Sequence, residues 1–499
     1  MTTPGTADES ASSAGTGDSV ERRESLPEGT SSGPMSSAEF RRHGRRIVDW
    51  IADYMDRVAD LPVQSRVSPG EIRSGAAAHP PLSGEPFEAL LADLDRVVLP
   101  GITHWQHPGW FAFFPASSSP EAVLAEFVSA GLGVQGMMWS TSPAVTEIEN
   151  LVMDWLVELL DLPSTWRTDT GPGGGVIQMS ASDSTHTALV VARHRATRAG
   201  ADMGSLVVYT SAQAHSSIEK GARVAGYSHL RLIGTDSDHA MSVPELRRTV
   251  TEDRDRGLTP AFLCSTVGTT GTTAVDPVRE AAAVATEFGM WHHVDAAFAG
   301  SAMVCPEFRH HQDGLELVDS YVFNPHKWML TTFDCSAFFV ADRRPLLEAL
   351  SILPPYLRNE ASDTGRVIDY RDWHVPLGRR FRALKLWWVI RTLGVDGLRA
   401  HIRRHVEWAR EIESRIEADP RFETIAPTPF SLVSFRHRGG HPATRELADR
   451  VNASGRALVT VSELDGAPFV RIAVGSSTTT HDDVVALWDL IDELAPPLG

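Results

Sequence analysis

Within "DSYVFNPHKWMLTTFDCSAFFV", residues 319–340, a lysine sits where a strand entering a hydrophobic core is expected. Lys327 follows Asn324, Pro325 and His326 and is flanked on both sides by runs of Val, Phe, Met, Leu and Ala. A buried ammonium is costly unless it is paired or neutralised, so this side chain either snorkels to solvent or serves as a nucleophile. A second stretch, "GPGGGVIQMSASDSTHTALVVARHRA" from Gly171, places glycines before Ser180, Ala181 and Ser182, and a helical pattern begins there. Free backbone N–H groups, hydroxyls and a helix dipole can converge there on one anion; the same residues also fit an ordinary serine-capped helix.

These residues need elements to bring them together. From about 170 to 345, short β-branched runs alternate with helical stretches, which predicts a mostly parallel sheet with helices on its faces. His215 comes shortly after "LVVYT", Thr270 after "AFLCST", Asp295 at the end of "WHHVD", and Lys327 after "DSYVFN". In a doubly wound sheet, ligands collect beyond the carboxyl ends of the strands, so one cleft is expected to hold an anion cradle, an imidazole, a carboxylate and a lysine. That set suits a phosphorylated pyridine aldehyde carried on the lysine as a Schiff base, with an acid on the ring nitrogen.

Other patterns carry less. "GLGVQG", Gly131–Gly136, has dinucleotide-loop spacing but follows a helical run rather than a strand, and no acid closes a second strand. "HIRRH", with His401 and His405 at i and i+4, lacks an adjacent acidic base and a third ligand, and is expected to be a solvated helix face.

At 499 residues and 42% hydrophobic content, the chain can bury a large core, and its formal charge of -18 disfavours nucleic-acid and anionic-membrane partners. Three widely spaced cysteines, Cys264, Cys305 and Cys335, fit a reducing compartment. Without a membrane-length apolar run or a leader-like segment, the expected location is cytoplasmic. Residues 1–34 are polar and expected to be a disordered tail. "SSAEFRRHGRRIVDWIADYMDRVA" predicts an amphipathic helix in search of a partner, opening a helical segment at 35–115. A large domain is expected over 116–395 and a small α+β domain over 396–499.

The motifs "EFRRHGRRIVDWIADYM", "THWQHPGWFAFFP", "GGGVIQMSAS", "AQAHSSIEK", "GTTGTTAVDP", "HVDAAFAGSAMVCPEF", "NPHKW", "FDCSA" and "YRDWHVPLGRRFRALKLW" occur in one order. In this the chain resembles the group II pyridoxal-phosphate decarboxylases, most closely those of the aromatic-L-amino-acid type. The resemblance implies a fold-type I, aspartate aminotransferase-like α/β architecture, pyridoxal 5'-phosphate as cofactor, and a homodimer clasped by 35–115. It implies that Lys327 bears the cofactor, Asp295 faces the pyridine nitrogen, His215 and Ala297 cover the two ring faces, and Thr270 lies beside cofactor and substrate. Ser180, Ala181, Ser182 and Asn324 match phosphate-holding positions, and His326 adjoins the lysine near the substrate. Tyr356 matches the loop tyrosine that reprotonates the substrate carbon and so implies simple decarboxylation.

Trp105, Phe113, Phe114 and Pro115 match an aromatic substrate pocket, to which Gln135, Met137 and Gly378 are also assigned. Gln135 and Met137 depart from the Ile and Phe of animal members, which keeps a branched aliphatic substrate in view. The expected activity is decarboxylation of an aromatic L-amino acid. The alternatives are a valine or histidine decarboxylase, an aldehyde synthase, and a non-catalytic relative.

Overall fold

The computed structural model describes residues 34–352 and 367–498, which form two compact units. The first comprises residues up to Asp56 together with Arg66–Ile102. In it the helix Ser37–Arg57 has the partner that the sequence seemed to withhold: the His43 ring lies 4.0 Å from that of Phe87, and the Trp50 indole donates to Asp95 at 3.2 Å. The expectation of an unpartnered helix is corrected by the helix Phe87–Asp93 and the turn after it, whose side chains are too few to read as a packing face in sequence. Phe40 and Val48 remain exposed on the first helix.

The second unit, Arg57–Ser65 with Thr103 onward, contains two sheets. The larger has seven strands: β1 (Gly174–Gln178), β2 (Leu206–Ser211), β3 (His229–Ile233), β4 (Thr259–Thr266), β5 (Trp291–Asp295), β6 (Ser320–Phe323) and β7 (Ser336–Val340). Their order is β1-β7-β6-β5-β4-β2-β3. The pairs from β6 through β5, β4 and β2 to β3 are parallel, while β7 runs antiparallel to β6 and β1. Central strands such as "FLCST" are buried along their length, as continuous apolar runs in covered parallel sheets require.

The second sheet is antiparallel, ordered β10 (Thr460–Leu464), β11 (Ala467–Ala473), β9 (Leu432–His437), β8 (Phe422–Thr424). A long helix, Ala383–Ala418, precedes it and breaks at Gly394, whose φ of 65° no helical residue adopts. The "GLGVQG" glycines end a helix instead of opening one: Ser119 caps Pro120–Leu132 at its start, and Gly133, with φ of 60°, closes it.

His401 and His405 are not on a solvated face. Both are buried, their rings are 4.3 Å apart, and His405 Nδ1 accepts the Trp328 indole N–H at 3.0 Å. Their helix turns this side inward because Leu398, Ile402, Val406 and Ala409 share it. No cluster of metal-ligating side chains occurs among the described residues.

Candidate active site

The carboxyl ends of β1, β2, β4, β5 and β6 meet at one cavity of about 200 Å³. Its walls include Ser180, Ala181, Ser182, His215, Thr270, Asp295, Ala297, Asn324, His326 and Lys327, so the residues singled out beyond separate strands come together.

The cradle begins where β1 ends. Ser180 caps the helix Ala181–Arg198, its Oγ accepting the Asp183 N–H at 3.2 Å. The first helical turn leaves the N–H groups of Ala181 and Ser182 without intrahelical acceptors, at the positive end of the dipole. A buried ion pair braces the strand behind it: Arg379 meets Glu149 at 2.6 Å, Glu149 accepts the Ile177 N–H at 2.8 Å, and Arg379 donates to the Ile177 carbonyl at 2.9 Å. Across the cavity, Asn324 is buried with no partner for its side-chain oxygen among the described residues.

Lys327 lies in the single helical turn Pro325–Trp328. Its N–H donates to the Asn324 carbonyl at 2.9 Å, and its carbonyl accepts the Ser117 hydroxyl at 2.8 Å, so its backbone is held from two sides. Burial pushes the amine below the ordinary lysine value; the Asp295 carboxylate opposes this fall and the Arg471 charge adds to it. Nζ stands 5.2 Å from the centre of the Phe114 ring. The core-like setting therefore makes the amine easier to deprotonate than an exposed lysine, as a nucleophile requires.

Asp295 is buried at the end of β5, and its Oδ1 accepts the Ala297 N–H at 2.9 Å, which fixes the carboxylate in the cavity wall. His215 Nδ1 receives the Ser217 N–H at 3.1 Å, so the ring proton belongs on Nε2. Burial lowers its pKa, against the pull of Asp295. His326 Nδ1 likewise receives the Cys335 N–H at 2.9 Å, and its pKa is pushed down to about 3, chiefly by burial.

A second cavity of about 540 Å³ shares Phe114, His215, Thr270, His326 and Lys327 with the first and adds Trp105, Phe113, Pro115, Phe333 and Arg471. Trp105 packs 4.1 Å from Trp110 and 5.8 Å from Phe113, while Phe114 stacks on Phe298 at 4.0 Å. The aromatic pocket residues thus adjoin the lysine. Gln135, Met137 and Gly378 do not line this cavity. Gln135 Oε1 instead accepts the Arg379 N–H at 2.6 Å, which joins the turn after Pro120–Leu132 to the chain beside Gly378. Tyr356 lies outside the described residues.

Phe333 and Arg471 are among the wall residues that escaped the sequence reading. Phe333 sits edge-on to His326 at 4.8 Å, and nothing in its turn-like surroundings announced it. Arg471, on β11, is buried, and burial pushes its pKa down to about 10. The signal for Arg471 was present: it is the one charge in "FVRIAV", the same anomaly that marked Lys327.

The donor set fits pyridoxal 5'-phosphate. A helix start with free N–H groups faces a lysine of depressed basicity, with a fixed carboxylate and an imidazole in the same cavity.

Comparison with known proteins gives the same answer. Residues 69–438 match the pyridoxal-dependent decarboxylase conserved domain. Phenylacetaldehyde synthase from Arabidopsis thaliana is 43% identical, over 93% of this chain and 97% of its own. The aromatic-L-amino-acid decarboxylase of Rattus norvegicus is 41% identical, over 92% of this chain and 98% of its own. The crystal structure of Catharanthus roseus tryptophan decarboxylase in complex with L-tryptophan superposes with a TM-score of 0.89 at 42% identity, covering 93% of this chain and 99% of that one. The architecture is fold type I, and the chain belongs to the pyridoxal-dependent decarboxylase family, carboxy-lyases that work with pyridoxal 5'-phosphate.

Proposed function

We propose that the chain removes the carboxylate of an aromatic L-amino acid as carbon dioxide and releases the corresponding amine. The observation that carries this reading is the aromatic cavity of Trp105, Phe113, Phe114 and Pro115, which shares Lys327 as a wall with the cofactor cavity. A flat, apolar side chain buried there would gain ring contacts and exclude water from the amine.

When bound, pyridoxal phosphate supplies an aldehyde that captures amines and a conjugated ring that accepts the electron pair of the broken bond. Ser180, Ala181, Ser182 and Asn324 would hold its phosphate, and Lys327 would bear its aldehyde. Asp295 would keep a proton on the ring nitrogen, between the faces covered by His215 and Ala297, with Thr270 beside both ligands. His215 would carry its ring proton on Nε2, because Ser217 occupies Nδ1. His326 stays neutral and donates from Nε2, because Cys335 occupies its Nδ1. Arg471 would meet the substrate carboxylate at entry, and Tyr356 would return a proton to the substrate carbon.

A homodimer is part of this proposal. The helix Pro120–Leu132 exposes Leu124, Phe127, Val128 and Leu132, an apolar face beside Gln135. A second copy seated there would bring Gln135, Met137 and Gly378 to its neighbour's pocket, with 35–115 as the clasp. The cytoplasm is the assigned compartment, in keeping with free, buried Cys264, Cys305 and Cys335.

The test is release of carbon dioxide and amine from tryptophan, 5-hydroxytryptophan, tyrosine, DOPA, phenylalanine, histidine and valine with added cofactor. Aromatic substrates should be preferred and Lys327→Ala should be inactive; preference for valine or histidine would overturn the substrate assignment. The 43% identical phenylacetaldehyde synthase supports a second reading, aldehyde formation. Tyr356 weighs against it, and stoichiometric hydrogen peroxide and ammonia would decide in its favour.

A further inference from the structure

Thr266 is the last residue of β4, and its register partner on the parallel strand β5 is Asp295. Register partners on parallel strands project to the same face, and both residues line the cofactor cavity. Thr266 is 5% exposed, and its hydroxyl has no hydrogen-bond partner among the described residues. Buried hydroxyls are nearly always bonded, so this one points to a contact completed when the cavity is filled.

Its backbone cannot swing away. The Thr266 N–H donates to the Asp276 carboxylate at 2.7 Å, and its carbonyl accepts the Asp276 N–H at 2.9 Å. Only rotation about its side-chain bond is left to aim the hydroxyl. On the other side, Asp295 commits Oδ1 to the Ala297 N–H, which leaves Oδ2 to be oriented by something else.

We propose that Thr266 is a positioning residue for Asp295: its hydroxyl donates to the carboxylate in the loaded enzyme and aims the remaining oxygen at the cofactor's ring nitrogen. This rests on the role proposed above for Asp295. Thr266 itself needs no contact with the substrate.

The test uses the full-length chain, freed of cofactor and titrated with either pyridoxal phosphate or its 1-deaza analogue, in which a ring C–H replaces the nitrogen. Wild type should prefer the natural cofactor. T266V, which removes the hydroxyl at nearly constant volume, should weaken pyridoxal phosphate about tenfold, the scale of one hydrogen bond, and leave the analogue unchanged. T266S should restore the wild-type preference. Unchanged affinity for both ligands in T266V, or an equal loss for both, would overturn the proposal, since the second result is what altered packing produces. D295N separates the two readings: it should abolish the preference, and if the preference survives in D295N, the assignment of Asp295 falls and that of Thr266 with it.

Discussion

Replacing Arg471 with methionine keeps a long side chain in the wall of the aromatic cavity and removes its charge. The guanidinium donates from Nε to the Gly271 carbonyl at 3.1 Å and from Nη2 to the Phe113 carbonyl at 3.2 Å, and lies 5.2 Å from the Phe114 ring centre. No carboxylate pairs with it among the described residues, although it is buried. Carbonyls satisfy two of its five donors without neutralising it, so an incoming α-carboxylate is the natural counter-ion. A hydrogen bond to a charged group contributes about 1.5–3 kcal/mol, which corresponds to about 10- to 150-fold in affinity. The contact belongs to the ground state, since the carboxylate loses its charge as carbon dioxide leaves. KM should therefore rise and kcat with it, leaving kcat/KM little changed. Steady-state kinetics with the best aromatic substrate measures this, alongside inhibition by the product amine, which has no carboxylate. The inhibition constant of the amine should be unchanged in Arg471→Met, and Arg471→Lys should recover part of the substrate affinity. A parallel weakening of the amine would show that the substitution merely deforms the pocket, and a fall in kcat at constant KM would refute the ground-state role.

Acid should destabilise the fold through its buried histidines. His292 and His293 are pushed down to about 3 by burial, so the unfolded chain takes up protons near 6.5 that the folded chain refuses. Their contribution is complete above pH 6.5 and is lost as pH falls toward 3; going from pH 7 to 5 costs about 2 kcal/mol per ring. Asp276, raised to about 7 by burial, has the opposite sign and offsets one of them. His326, His374 and His401, all near 3, add to the loss, so the thermal midpoint should drop between pH 7 and 5, and a flat or rising midpoint would contradict this. Trp105→Ala removes ring contacts of about 0.5–1.5 kcal/mol, so KM for an aromatic substrate should rise up to about tenfold, as initial rates will show. Phe127→Asp puts a charge on the exposed apolar helix face and should shift sedimentation from dimer to monomer with loss of activity; an active monomer would argue against a shared site.

The cofactor-cavity residues legible in sequence share a property: each stands at or just beyond the end of a recognisable strand. "LVVYT", "AFLCST", "WHHVD" and "DSYVFN" predict the parallel strands β2, β4, β5 and β6, and connection rules for such sheets place His215, Thr270, Asp295 and Lys327 at one edge. What stayed hidden depends on contacts that no local pattern encodes. Arg471 reaches the cavity because β11 lies against residues near Phe113, 358 positions away in the chain, and nothing in "FVRIAV" says which way its charge points. His401 and His405 turn inward with Leu398, Ile402, Val406 and Ala409, where His405 accepts from Trp328, 77 positions away, whereas the intervening arginines suggested solvent. Thr266 looked like one more β-branched strand residue; only its register against Asp295 and its unsatisfied hydroxyl set it apart. A single charge in an apolar strand was the clue to Lys327 and also describes Arg471. Read consistently, that signal marks both basic groups of the pocket, one whose basicity burial lowers and the other kept charged because a guanidinium loses its proton too reluctantly to do otherwise.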